Sequence, residues 1–227
     1  GVRLVHISTD HLFAGDHSMV DENATPSPLN AYARTKLAGE RAVAKGCPQA
    51  LIVRTNFFGW GHAYRESLSD WILKGLRARQ ALNMLSDTFF TPILVDRLTH
   101  AVHALVEQGV TGVIHVVGDE RISKYEFARR IAVGFALPET TIRASEISDM
   151  RLVAQRPRDM SLCNAKARML LNRALGRVDE FIAELRAQEQ SHPQRQQAEQ
   201  KQQETGSQVF EIDLQSGFVH QWTRFER

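Results

Sequence analysis

Cysteine is scarce in this sequence: Cys47 and Cys163 are the only two, far apart and in no metal-like spacing. That excludes a disulfide framework or a zinc-finger arrangement and leaves reduced thiols as the expectation. No apolar run approaches the roughly 18 residues of a membrane-spanning helix, so no membrane partner is expected. No charged stretch followed by an apolar one marks a secretion signal. Neither sign of charge is in surplus, with 28 Lys and Arg against 26 Asp and Glu and a net +2. No nucleic-acid partner is therefore expected. What is present, 43% hydrophobic and 24% charged residues, is the make-up of a globular protein, expected in the cytoplasm. Its 227 residues suffice for one large domain or two small ones.

Short apolar runs alternate with helical patterns. Val2–Ile7 reads as a strand ending in Ser8-Thr9-Asp10, as a parallel strand does where its carboxyl end opens into a site. Because the sequence starts at Gly1, inside such a run, the chain is expected to be a piece of something longer. Residues 10–28 form a loop punctuated by Gly15, Pro26 and Pro28. Ser27 and Pro28 suggest the cap and first residue of a helix running from Leu29 to Ala44. Ala50–Arg54 is a second buried strand, and strand, helix and strand make a β-α-β unit with a parallel sheet. Further helices are predicted over Glu66–Arg79, Val95–Glu107, a stretch opened by a Ser123/Glu126 capping box and closing near Phe135, Asn164–Leu171 and Val178–Gln190. Further strands are predicted over Leu82–Leu85 and Gly112–Gly118, while residues 138–163 read as irregular. Glutamine dominates from Gln188 to Gln208, as in a solvated helix extension or a linker. The end of the chain alternates around Gly217 like a hairpin.

The chemistry lies in Tyr32 and Lys36, one helical turn apart on one face. An ammonium beside a phenol favours the phenolate, which would bring a group of pKa about 10 toward proton exchange near neutrality. Hydroxyls at Ser8 and Thr9, at a strand end, would donate to a carbonyl oxygen. This is the equipment of a carbonyl/alcohol redox enzyme using a nicotinamide, although the spacing alone also fits a solvated surface pair. His100 and His103 with Asp96 lack a fourth ligand and read as helix surface rather than a metal site. Phe57, Phe58 and Trp60 read as core packing rather than a stacking platform.

Taken in order, Ser8-Thr9-Asp10 with Phe13, Asp21-Glu22, Pro28-Leu29-Asn30 with Tyr32, Lys36 and Gly39-Glu40, Arg54-Thr55-Asn56, Phe90 with Pro92, and Arg156-Pro157 with Ser161-Leu162 and Asn164 resemble the extended short-chain dehydrogenase/reductase superfamily. The resemblance is narrowest to its dTDP-4-dehydrorhamnose reductase branch and runs from Val2 to about residue 172. It implies an α/β fold, with a partial Rossmann-like parallel sheet and a small α+β substrate-binding region. Residues 1–118 would be the C-terminal half of the Rossmann-like domain with substrate-region insertions, and 119–176 the substrate-binding region. Residues 177–207 would be a helix and Gln-rich linker, and 208–227 a hairpin-like tail of unknown origin. The resemblance makes Tyr32 the proton donor, with Lys36 lowering its pKa and holding the cofactor ribose. Thr9, or Ser8 beside it, would bond the substrate oxygen. Ser8, Tyr32, Lys36 and Arg54 become cofactor contacts, and Asp10, His11, Asn56, Phe90, Arg156 and Arg158 substrate contacts. Two arginines suit a diphosphate, and equally well a pair of surface ion pairs.

The same resemblance implies NADP or NAD as cofactor and a nucleotide-sugar as substrate, and is compatible with a homodimer. The family's Gly-x-x-Gly-x-x-Gly turn, which takes the cofactor pyrophosphate at a helix N-terminus, does not occur here, and Gly59-x-Gly61 is no substitute. Weak or no cofactor binding is therefore expected of this chain alone, together with an unpaired sheet edge. Two alternatives stand beside a reductase. One is an epimerase or dehydratase of the same superfamily, which would recycle its nicotinamide. The other is a non-catalytic subunit resembling the regulatory β subunit of methionine adenosyltransferase.

Overall fold

A computed structural model describes residues 3–61, 65–150 and 152–191. The hairpin expected over 208–227 and most of the glutamine-rich stretch lie outside the described residues. In chain order the elements are β1 (Val5–Ile7), α1 (Ala31–Gly46), β2 (Leu51–Arg54), β3 (Phe57–Phe58), α2 (Leu68–Arg77), β4 (Leu82–Leu85), β5 (Phe89–Phe90), β6 (Ile93–Leu94), α3 (Val95–Glu107), β7 (Gly112–His115), β8 (Ile122–Ser123), α4 (Lys124–Gly134), β9 (Ile142–Ser145), α5 (Ala165–Leu171) and α6 (Val178–Ser191).

All four residues of β2 are buried, as an apolar run requires when it is the central strand of a parallel sheet covered on both faces. It pairs in parallel with β1 on one side and β7 on the other. The chain thus follows the expected β-α-β path, with α1 as the first crossover. Among the described residues β1 pairs only with β2, and Leu4 and Ile7 remain exposed along it. Beyond this sheet, β3 pairs with β6, β4 with β9 and β5 with β8. The α/β class with a parallel sheet is what the sequence led us to expect.

Helix α1 buries Ala33, Leu37 and Glu40, a stripe with the three-and-four spacing of one helix face. Its cap differs from expectation. Asn30, not Ser27, precedes the first turn, and its side chain accepts from the Ala33 N–H at 2.9 Å; Ser27 Oγ accepts from Ala14 N instead. A true reciprocal capping box occurs at α2, where Ser67 and Asp70 cap one another. Strand β9 lies inside the stretch read as irregular, and β7 stops three residues short of Gly118. The main core covers one face of the sheet, through Leu51, Val53 and Ile114, with α2, α3, α4 and α6, including Phe58, Phe90, Phe127 and Phe181. Phe58 packs edge-on against Phe127 and Phe181, and Trp60 against Phe135 with its indole N–H donated to Leu185 O. Phe58 and Trp60 are thus the packing groups expected, whereas Phe57 is exposed.

Candidate functional site

The sheet order sets the site's position. Strands β1 and β2 run side by side, so Ser8-Thr9-Asp10 and Asn56 emerge together beyond their carboxyl ends, where ligands bind in open parallel sheets. Helix α1 follows the loop leaving β1 and brings Tyr32 back over it. The segment around Arg156 arrives from far along the chain. Phe89 N–H donates to Arg158 O at 2.7 Å and Met160 N–H to Phe89 O at 2.9 Å, while Val20 and Leu162 form a parallel bridge. Gly15, at φ +83°, lets this strap come close: a Cβ there would stand 2.7–2.9 Å from Pro157, Arg158 and Asp159 atoms.

Asp10 is the centre of the polar network and is 1% exposed. One carboxylate oxygen accepts from Asn56 Nδ2 at 2.5 Å and the other from Thr9 Oγ1 at 3.2 Å. The His11 ring lies edge-on to Tyr32, with centroids 5.8 Å apart. Burial holds the His11 imidazole below its ordinary pKa; Asp10 pulls it upward, and the positive charges of Lys124 and Arg156 push it further down. The imidazole is therefore neutral at neutral pH.

Tyr32 behaves differently from expectation. Burial pushes its phenol above the ordinary tyrosine value; a hydrogen bond with the Thr9 side chain works the other way, the Asp10 charge adds to the rise, and Arg65 opposes it. Lys36 is not among the groups acting on it. The Lys36 ammonium donates to Ile7 O at 2.9 Å. A phenolate favoured by the one-turn spacing is thus corrected to a phenol kept protonated by desolvation.

The structure brings together Thr9, Asp10, His11, Tyr32 and Asn56, with Arg156 close enough for its charge to act on His11. Ser8 is buried at the same strand end, and its hydroxyl has no partner among the described residues. Lys36 stands at the open flank beside Ile7, with two ammonium donors beyond its bond to Ile7 O. Three expected contacts are not brought in. Arg54, 5% exposed, directs Nε and Nη2 into a buried ion pair with Glu40 of α1 at 2.8–3.2 Å. That guanidinium is sealed from a cofactor. Phe90 is 0% exposed and packs edge-on against Phe127, so it forms the floor rather than the surface. Arg158 points to solvent, 3.7 Å from Asp87. Two side chains that sequence reasoning did not single out, Lys124 and Arg65, act electrostatically on His11 and Tyr32. Local pattern carries no signal for either, since each reaches the site only through the tertiary fold.

Among the described residues no group of His, Cys, Asp and Glu could hold a metal. No described helix is long and apolar enough to cross a membrane. Gly61 offers no phosphate cradle, because its N–H already donates to the Asp70 carboxylate at 2.6 Å.

Residues 1–190 match the profile of the RmlD substrate binding domain. The chain is 32% identical over 179 residues to a dTDP-4-dehydrorhamnose reductase of Salmonella typhimurium, covering 73% of this chain and 58% of that protein. It is 30% identical over 169 residues to the methionine adenosyltransferase 2 subunit beta of Danio rerio, covering 71% of this chain and 52% of that one. In fold it is similar to the crystal structure of a dTDP-4-dehydrorhamnose reductase from Bacillus anthracis in complex with NADP, with TM-score 0.75, 24% identity, and coverage of 82% of this chain and 66% of that one. The chain thus spans 52–58% of the length of these curated relatives.

Proposed function

The chain belongs to the RmlD substrate binding domain family, and from that premise we propose that the protein reduces a 4-keto nucleotide-sugar with NADPH or NADH. The observation that carries this reading is the protonated phenol of Tyr32 with the Thr9 hydroxyl against it. A carbonyl oxygen gathers negative charge as its carbon is reduced, and a neutral phenol in hydrogen-bond reach can hand it a proton. Thr9, whose single O–H rests on Asp10, would rotate that O–H onto the same oxygen as a second donor in a partly dehydrated site. Asp10, anchored by Asn56, accepts from Thr9 and keeps that hydroxyl in place. The nicotinamide, when bound, supplies the hydride. The residues present suit its ribose end, with the Lys36 ammonium at the open flank and the exposed Ile7 side chain beside it. Arg156 is suited to the substrate diphosphate.

The test is loss of reduced nicotinamide absorbance when the protein in its full natural length meets a dTDP-4-keto-6-deoxyhexose. One reduced nicotinamide consumed per sugar identifies a reductase, and turnover without net consumption an epimerase or dehydratase. Tyr32→Phe is expected to lower kcat by about 10²–10⁴-fold with cofactor affinity largely intact. Undiminished turnover would remove Tyr32 from the chemistry. The likeness to a methionine adenosyltransferase subunit favours a second reading as a binding subunit, which a stable protein complex without any nicotinamide consumption would support.

A further inference from the structure

Lys124 is the first residue of α4, placed there by the Ser123 cap and by its own N–H, which donates to Thr88 O at 3.0 Å. Its side chain carries the ammonium to 3.3 Å above the centroid of Phe90. That ring is fully buried and wedged against Phe127, so it is a fixed plate beneath the charge. Among the described residues no hydrogen bond or ion pair holds the ammonium, which leaves its three donors to a ligand. The charges felt there come from Asp10 and Arg156, and Lys124 with Arg156 acts in turn on His11, which lies edge-on to Tyr32. The loop after β1, the Arg156 strap and the start of α4 therefore share one space with the proton donor. Two cations face one carboxylate in it.

Burial, foremost, pushes the Lys124 pKa down to about 8; the Asp10 carboxylate pulls it upward and the Arg156 charge pushes it further down. Such a group is stabilised by an oxygen acceptor brought in by a ligand. We propose that Lys124 recognises the sugar: its ammonium donates to a hydroxyl or carboxylate oxygen on the carbon next to the substrate carbonyl and so turns that carbonyl toward Tyr32. This rests on the reductase reading above. Arg156 faces the diphosphate, whereas Lys124 selects for the sugar itself, so a ketosugar lacking the neighbouring oxygen would be a poor substrate.

The test compares the full-length wild type with Lys124→Met and Lys124→Arg, using a dTDP-4-ketosugar, its analogue deoxygenated beside the carbonyl, and dTDP alone. Lys124→Met is expected to raise KM for the ketosugar about 10–100-fold, the worth of a charged hydrogen bond, with dTDP affinity unchanged and Lys124→Arg recovering part. Wild type should discriminate against the deoxygenated analogue, and Lys124→Met should not. The wild-type kcat/KM should fall above about pH 8, a limb absent in Lys124→Met and displaced upward in Lys124→Arg. If Lys124→Met does not fold, the displaced limb in Lys124→Arg decides the matter. An unchanged KM, or a parallel loss of dTDP affinity, overturns the assignment. A wild type that turns over no ketosugar overturns the reductase reading itself, and Lys124's role with it.

Discussion

Arg54 and Glu40 are 5% and 4% exposed and joined by three hydrogen bonds of 2.8–3.2 Å. A buried ion pair adds little over an apolar pair of the same shape, but removing one member strands the other charge. Glu40→Ala is therefore expected to destabilise the protein by about 3–5 kcal/mol, read as a shift in a urea unfolding curve. The double change Glu40→Leu with Arg54→Met should recover most of the loss. A single variant within about 0.5 kcal/mol of wild type would show that the pair is not sealed. This pair also marks the limit of reading residues from sequence. Thr9, Asp10, Tyr32 and Asn56 were legible because strand ends and one helix start must converge in a β-α-β unit. Arg54 stands at the same kind of strand end, yet its direction was set by a carboxylate in the buried stripe of α1, which no local pattern announces. Lys124 was hidden for the converse reason: as a polar residue at a helix start it reads as solvated, and only the pairing of β5 with β8 brings it over Phe90.

At the scale of elements, the start of α1 matters most, because Tyr32 lies two residues past its cap. The Asn30 side chain satisfies the Ala33 N–H at 2.9 Å and also donates to Gln155 O at 3.1 Å, tying the helix start to the strap that carries Arg156. Asn30→Ala is expected to cost about 1 kcal/mol through the cap alone, and to raise KM for the proposed sugar-nucleotide substrate because the strap is loosened. Asn30→Asp keeps the cap acceptor but not the amide donor, so it should restore most of the stability and not the KM. An Asn30→Ala variant with wild-type stability and KM would deny the link. The helices were legible from three-and-four apolar spacing, within about two residues at most ends. Strand β9 was not, because only one of its four residues is buried. Its pairing with β4 in the fold, rather than any alternation of its own, makes it a strand.

For the whole molecule, the largest pH dependence should come from a histidine outside the proposed chemistry. His115, at the end of β7, is 0% exposed; its N–H donates to Glu22 at 2.8 Å and its Nδ1 lies 3.1 Å from Val20 O. It thereby fastens the loop between β1 and α1 to the far strand of the sheet, beside the small cluster of Leu12, Phe13, Leu37, Val117 and Leu162. Burial, foremost, lowers its pKa to about 4, against the pull of Glu22 and with a push from Arg54. Unfolded, the same imidazole titrates near 6.5. Between those values the unfolded chain holds a proton that the folded chain refuses, so stability falls as pH drops through the window. The slope approaches about 1.4 kcal/mol per pH unit, or about 3 kcal/mol in all. Urea unfolding followed from about pH 7 down to about pH 4.5 should show this loss in wild type. His115→Asn, less stable throughout for want of packing, should show a much flatter profile. Equal slopes in the two proteins would assign the acid sensitivity to other groups. Because the fastened loop also carries Asp10 and His11, ligand affinity should fall in the same acid range in wild type and hold steadier in the variant.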